Sequence, residues 1–552
     1  MRKTAWTGTA LLSLFLLCAV SASAGGIALA PLNPEFVKAQ AALSGDFSSL
    51  PEQIRTPSGA TIRPGKLPSP LNFEHLKQGR SGAAPLGKRE FPSRYDLRTR
   101  GKISPVRDQD PYGACWTFSA IASMESSLRT EEIRDFSEWH LGYWAYVTNP
   151  DGQPAFSPWS DPDDPFDPRD PAKVYDQGGD DWKAVAVLSR GTGPVNEADL
   201  PYDGPLPASK PNLSRQKLLT GAIFMPYPAE SIWEVGYPYL VADEVKSALM
   251  EYGALSIGMM ADFNGSTWNP AASAFYYDGP RGANHAVNVV GWDDDFPKEN
   301  FATTPPGDGA WIVRNSWGSG FGENGFFYMS YYDTSLDSGF AYLSVPADSY
   351  DIIHQHDPLG WVRSIRSFSD EPFTGWMANR FTAAGDQVLK AVAFYAASFG
   401  TEYEISVRTS MPGVSSVPGE SGILLEGFRG TLEKPGYHTI LLPEEVFVAG
   451  GSSFSVEVKL VTPGYDYPLP VESPLAGYSD AAVSSRGQSF YSEDGVRWTD
   501  LADTPLENAN FCLKVFAVVS GAAGAGSSGC AAGSASPLLL VFALPLYLLR
   551  RR

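Results

Sequence analysis

The sequence predicts an α+β protein whose last third is an all-β domain, and three observations carry that expectation. Around Cys115 the apolar residues Trp116, Phe118, Ile121 and Leu128 recur at helix-compatible spacing. From Ala254 to Val345 the chain is rich in short strands separated by Gly turns. Beyond about Tyr350 the helical period disappears, and segments such as VLKAVAFYA, YEISVRT and SFSVEVKLV alternate at period two between Gly/Pro turns. A chain of 552 residues is too long for one core, so two or three domains are expected.

Taken in order, residues 1–24 read as a secretory signal. Arg2 and Lys3 precede an apolar run, Leu11 to Val20, and Ala22-Ser23-Ala24 supplies small residues for cleavage. Residues 25–90 are Pro-, Ser- and Gly-rich, with one short helical suggestion near Glu35 to Leu43, and read as a propeptide or linker with little core of its own or, equally, as a simple disordered spacer. The compact region begins at Phe91. It contains the Cys115 helix and then FSEWHL (Phe136 to Leu141), where Ser137 is a candidate N-cap. Residues 149–176 form a loop dense in Pro and Asp. Asp161, Asp163, Asp164, Asp167 and Asp170 invite a calcium reading, but the spacing lacks the EF-hand's central Gly and terminal Glu, so a solvated surface insertion is preferred. Gly178-Gly179, a helix from Trp182 to Leu188, a helix from Asp243 to Tyr252 capped by Gly253, and a strand from Ala254 to Met260 follow. The boundaries expected are 91–347 for the α+β domain and 348–519 for a β-sandwich.

Residues 520–552 form a second targeting device. A Gly/Ala/Ser stretch with Cys530 leads into an uncharged run, Ala531 to Leu549, and ends in three arginines. As a helix that run is about 28 Å long, enough for a thin bilayer, with the arginines on the cytoplasmic side. With 42 basic against 62 acidic residues the net charge is −20, which argues against a nucleic-acid partner. Of 4 cysteines, Cys18 lies in the signal and Cys530 in the tail, leaving only Cys115 and Cys512. No disulfide framework is available. An unpaired cysteine in an exported chain is a liability, which raises the prospect that Cys115 is kept for chemistry.

Cys115 at the first turn of a buried helix would feel the positive end of the helix dipole, which favours thiolate. Gln109, upstream in QDPYGACW, is a neutral amide donor suited to a developing oxyanion. A base is still needed, and the 6 histidines make the search short. His140 sits in FSEWHL, where packing or surface exposure explains it. His285, in NHAVNVVGW, enters an apolar strand whose end would present an imidazole. Asn315, in WIVRNSWGSGFGENGFF, is followed by Trp317. An Asn amide can accept from one imidazole nitrogen and aim the other at a thiol.

QDPYGACW with FSA, FSEWHL, Gly178-Gly179, LPYDG, NHAVNVVGW and NSWGSGFGENGFF occur in the order found in papain-like cysteine peptidases, which region 91–345 resembles. The resemblance implies a two-lobed peptidase domain, a helical lobe plus a β-barrel-like lobe. It implies Cys115 as nucleophile, His285 as ion-pair partner and general acid/base, Asn315 as its orienter, and Gln109 with the Cys115 N–H as oxyanion hole. Trp317 would cover the His–Asn pair, Gly178-Gly179 would hold substrate backbone, and Ala283 and Ala286 would line a pocket open to a bulky apolar side chain. No cofactor or metal is implied. Tyr112 stands where the family usually places a disulfide cysteine, so the loop must hold its shape by packing. DPLGW, WMANRFTA, LKAVAFY, GYHTI and QSFYSEDGVRW resemble the lectin-like sandwich that follows such domains in bacterial surface proteins. Trp361, Trp376 or Trp498, if exposed, could stack on a surface glycan. The C-terminal order resembles bacterial surface-sorting signals, with a plain membrane anchor as the alternative until processing. The expectation is therefore an exported, surface-associated endopeptidase acting on protein or peptide substrates. A silent adhesin on the same scaffold and a Cys–His acyltransferase are its rivals.

Overall fold

The computed structural model describes residues 27–45, 54–55, 59, 61–62, 65–77, 90–158, 165–210, 213–226, 238–410 and 422–520. The signal, the C-terminal tail beyond 520, and Asp161, Asp163 and Asp164 lie outside these residues. No helix among the described residues is long and apolar enough to cross a membrane.

The α+β region has two lobes, each with its own core. The helical lobe is built on the Cys115 helix, Cys115–Leu128, in which every residue from Cys115 to Ser126 is buried. Such all-round burial requires packing on every side. The helices Glu138–Tyr146 and Asp181–Ser189 cover part of it, each N-capped by a side chain, Ser137 Oγ accepting from the His140 N–H and Asp180 from Lys183. Trp116, Ile121, Met124, Trp139 and Tyr175 belong to this core.

The β lobe is an antiparallel sheet in which His285–Asp293 lies between Leu255–Met259 and Ala310–Arg314, the latter pairing onward with Phe326–Ser330. The His285 strand is buried at all its positions because both edges are paired and the Cys115 helix packs nearby. Trp292, Trp311, Ile312 and Phe327 form the second core. Hydrogen bonds lock the helix to this lobe: Asn288 Nδ2 donates to Ser119 O at 2.8 Å, and Ser123 Oγ to Ala254 O at 2.7 Å. Those bonds fix the distance between the helix start and the strand start.

Beyond Tyr350 the chain forms the all-β domain. One sheet runs in the order 422–432, 401–410, 453–461, 374–382, 489–492, 498–500. Its core, including Leu389, Phe394, Ile405, Val456 and Val458, faces strands Gln387–Ala396 and Leu513–Val519. The sandwich is joined to the α+β region through the backbone. Lys217–Met225 pairs with Gly339–Pro346 on one edge and with Gly436–Val448 on the other, matching Tyr437 to Ala222. One sheet thus runs through both domains.

One expectation needs correction. Trp361 is only 3% exposed and sits in a junction cluster, 5.1 Å from Trp182 and 5.5 Å from Tyr395 between ring centroids, so it is unavailable to a sugar. The stretch before residue 91 is more than a spacer where it is described. Ile27–Leu29 adds a strand to Arg363–Ser367 of the sandwich, and Phe36 on helix Pro34–Gly45 is buried against Tyr478. Apolar residues few in number but placed at the domain junction suffice to dock it. In the acidic loop, Asp167 bonds Arg169 and Asp170 caps the helix Pro171–Tyr175, and no acidic or His/Cys group among the described residues could hold a metal ion.

Candidate active site

Cys115 is the first residue of its helix, and the Ala114 N-cap offers no side-chain acceptor. In the first turn the Thr117 N–H donates to Ala114 O at 2.9 Å, while the Trp116 N–H acts on the sulfur. The Ala286 N–H donates to Sγ at 3.3 Å. His285, one residue earlier, starts its strand fully buried. Its Nε2 bonds Asn315 Oδ1 at 2.8 Å. An amide oxygen only accepts, so Nε2 carries the hydrogen and Nδ1 keeps its lone pair. Nδ1 is buried and makes no hydrogen bond among the described residues. The Trp317 ring stacks on the imidazole at 4.8 Å between centroids and shields the His–Asn bond.

Gln109 is fully buried beside this group. Its Oε1 accepts from Ser316 Oγ at 2.6 Å and its Nε2 donates to Tyr112 O at 3.0 Å, which leaves one amide hydrogen for another acceptor. The loop from Gln109 to Cys115 is held by aromatic packing. Tyr112 lies 5.6 Å from Trp139 and 5.7 Å from Tyr175, rings that themselves stack at 3.5 Å. The Gly113 N–H adds a bond to Asp176 at 2.8 Å.

A stretch the sequence reading passed over lies across the cleft. Gly179 N–H donates to Gly65 O at 2.8 Å, Leu67 N–H to Gly179 O at 2.7 Å, and Lys66 N–H to Asn284 O at 3.2 Å. Residues 65–67 therefore run as a strand parallel to the Gly178-Gly179 stretch. Contact is close enough that a Cβ on Gly65 would strike the Gly113 carbonyl and lie 2.9 Å from Cys115 Sγ. A Cβ on Gly179 would fall 2.5 Å from the Trp116 indole, so both glycines serve close backbone approach. Beneath this cover, burial pushes the Cys115 thiol up to about 11, against the pull of the Ala286 and Gly65 N–H groups and the Lys66 charge. Burial likewise holds His285 down to about 4 despite its bond to Asn315. In the covered cleft, burial thus favours the uncharged thiol and the uncharged imidazole.

Residues 91–141 and 176–340 match the family described as papain family cysteine protease, and residues 353–517 match the lectin like domain. The chain carries a papain family cysteine protease domain followed by a lectin-like domain. The stretch left unmatched inside the protease domain, 142–175, contains most of the Pro- and Asp-rich loop. The chain is similar to the probable cysteine protease RD19B of Arabidopsis thaliana, 27% identical over 245 residues, covering 44% of this chain and 59% of the relative. It is 26% identical over 250 residues to cysteine proteinase 2 of Entamoeba histolytica, covering 44% of this chain and 64% of that one. The match thus spans about three fifths of these relatives' own length. Among solved structures, the cysteine protease and lectin-like domains of Cwp84, a surface layer associated protein of Clostridium difficile, superpose with a TM-score of 0.67 at 21% identity, covering 90% of this chain and 99% of that one. That likeness supports the two-domain fold.

Within the papain family domain the structure brings Cys115, His285, Asn315, Gln109 and Trp317 into one constellation, with Gly178, Gly179 and Ala286 on its walls and Ala283 half-buried beside them. Sequence reasoning missed Gly65, Lys66 and Asp181. Lys66 sits in a Pro- and Gly-rich stretch with no motif, and Asp181 follows the paired glycines without any local mark of function.

Proposed function

We propose that the chain is an exported, surface-associated cysteine endopeptidase. The observation that carries this reading is the buried His285–Asn315 bond of 2.8 Å, which leaves the other imidazole nitrogen unbonded, while the next residue's N–H donates to Cys115 Sγ at the helix start at 3.3 Å. Cys115 Sγ attacks the peptide carbonyl, forming the S–C bond as its proton passes to His285 Nδ1. His285 then gives that proton to the leaving amine as the C–N bond breaks, and water, deprotonated by His285, hydrolyses the thioester and restores the thiol. The Gln109 amide and the Cys115 N–H stabilise the oxyanion. Asn315 fixes the ring, and Trp317 keeps water from its bond.

Residues 65–77 act as a cover that must leave before substrate enters, which makes the region before residue 91 a propeptide. Export is supported by the N-terminal leader pattern and by the surface association of Cwp84. The lectin-like domain would hold the enzyme at a surface glycan, with the partly exposed Trp376 and Trp498 as stacking candidates in place of Trp361. Labelling with an epoxide inactivator of thiol peptidases, under reducing and mildly acidic conditions, tests the reading. A Cys115 adduct with loss of casein cleavage is expected. Absence of both adduct and cleavage would leave a binding protein on this scaffold instead.

A further inference from the structure

The cleft has a side pocket next to the nucleophile, and its floor is acidic. Lys66, one residue along from the glycine that touches Cys115 Sγ, sends its side chain into it. The stem lies against Gly258, where a Cβ would strike it and would also fall 2.9 Å from Ala283. Only a glycine at 258 leaves this space open. At the bottom, Lys66 Nζ donates to Asp181 Oδ2 at 3.0 Å, with both side chains almost wholly buried, at 6% and 4% exposure. Asp337, half exposed at the rim, has a carboxylate oxygen 3.7 Å from the same nitrogen.

The other oxygen of Asp181 shows that the carboxylate is built in. Oδ1 accepts from Ser256 Oγ at 2.6 Å and from Tyr342 OH at 3.1 Å. These neutral donors fix its direction and leave its charge uncompensated. Among the described residues Lys66 is the one cation within ion-pair distance of Asp181. Burial pulls the Lys66 ammonium's pKa down, yet Asp181 and Asp337 more than offset it and the net shift is upward. A carboxylate this deep is costly unless a cation meets it. When the cover leaves, the pocket keeps its Asp181 and loses its lysine. Two small alanines suggested an apolar occupant. The carboxylate beneath them reverses that expectation.

We propose that Asp181, with Asp337 at the rim, is the specificity-determining residue of this peptidase, and that the pocket selects lysine or arginine at the residue immediately preceding the one whose carbonyl Cys115 attacks. This rests on the peptidase reading above. An apolar side chain entering the pocket would strand the buried carboxylate, whereas a basic one replaces Lys66 bond for bond. The selection arises from the penalty on the wrong ligand as much as from attraction to the right one.

The test uses the full chain after activation, with Cys115 epoxide labelling run in parallel. Blocked dipeptide coumarylamides share alanine next to the coumarin and vary only the preceding residue: lysine, ε-acetyl-lysine or norleucine. Lysine is expected to exceed both neutral residues in kcat/KM on the order of 10²-fold. Asp181→Asn is expected to bring the three within a few-fold of one another while still labelling at Cys115. If that variant fails to label, the lysine to acetyl-lysine ratio on the unaltered protein decides alone. Equal cleavage of lysine and norleucine, with normal labelling, overturns the specificity claim and leaves the peptidase reading intact. No cleavage and no labelling overturns both. A second measurement needs no substrate. In the unactivated full chain, Lys66→Met should speed Cys115 labelling at least tenfold and Lys66→Arg should not, and equal rates for the two variants would count against a pocket that demands charge.

Discussion

The two free cysteines of the described chain, Cys115 and Cys512, are both buried, and each lies close to a buried lysine–aspartate pair. In the sandwich, Lys514 lies 2.9 Å from Asp357 with neither side chain exposed. The resemblance ends with what surrounds the sulfur. Asp357 and Glu472 join burial in pushing the Cys512 thiol well above its usual range. At Cys115 burial is opposed by N–H donors and by a lysine charge. The sandwich cysteine is therefore a small buried side chain, whereas the cleft cysteine is held among groups that favour its thiolate. The lysines differ in the same way. Lys514 belongs to a central strand and is also bonded to Gln355 at 2.9 Å, so its pair is permanent. Lys66 comes from a segment laid across the cleft, so its pair is exchangeable. Similar local chemistry thus sits on a central strand in one domain and under a docked segment in the other.

The sharpest way to break the comparison is to remove each sulfur. Cys115→Ala should lower peptidase activity by on the order of 10⁴-fold or more, whereas Cys512→Ala should leave kcat within about twofold, measured on a fluorogenic peptide after activation. Comparable losses in the two variants would erase the distinction. The ion pairs come next. Lys514→Met leaves Asp357 buried and alone and should cost about 3–5 kcal/mol in urea unfolding. Lys66→Met should change global stability by less than about 1 kcal/mol, since its segment can lift and admit water to Asp181.

Gln109→Ala should reduce kcat by about 10²- to 10³-fold with a smaller change in KM, as expected for a donor that acts on the oxyanion. A loss confined to KM would move Gln109 out of that role. The smallest effect concerns His75, which anchors the cover. Its Nε2 contacts Ala397 O at 2.9 Å, its ring stacks on Tyr465 at 3.8 Å and lies 6.3 Å from Phe73, and burial holds its pKa down to about 4. Once the segment is free, that histidine returns to about 6.5. The free form thus binds the extra proton, and docking is strongest above about pH 6.5 and weakens as pH falls toward 4. Cys115 labelling of the unactivated chain should accelerate over that window, and His75→Phe should flatten the acceleration. A profile identical to that of the unaltered chain would assign the effect to other groups.

Much of the candidate site was legible because its signals are local. A cysteine ahead of helix-spaced apolar residues, a histidine entering an apolar strand, and an asparagine before Ser316-Trp317 can each be read from about a dozen neighbours. The sandwich was legible for a similar reason, since a half-buried strand alternates at period two. Tyr112 marked a loop lacking its relatives' bridge, but the Trp139 and Tyr175 rings that support it lie well downstream. The burial of Trp361 was not legible because nothing nearby tells an indole at a domain junction from one in solvent.

The sequence by itself determined which residues could do chemistry, their order along the chain and the types of the elements that hold them. These follow from side-chain identity and backbone periodicity, which act over one or two turns or strands. Tertiary structure alone decided that residues 65–67 cover Cys115, that one sheet joins the two domains, and that the pocket beside Ala283 is acidic. That pocket is assembled from Lys66, Asp181, Ser256, Gly258 and Asp337, positions scattered over much of the chain. Charge at its floor is a property of their convergence, because a carboxylate becomes a demanding partner only when folding takes it out of water.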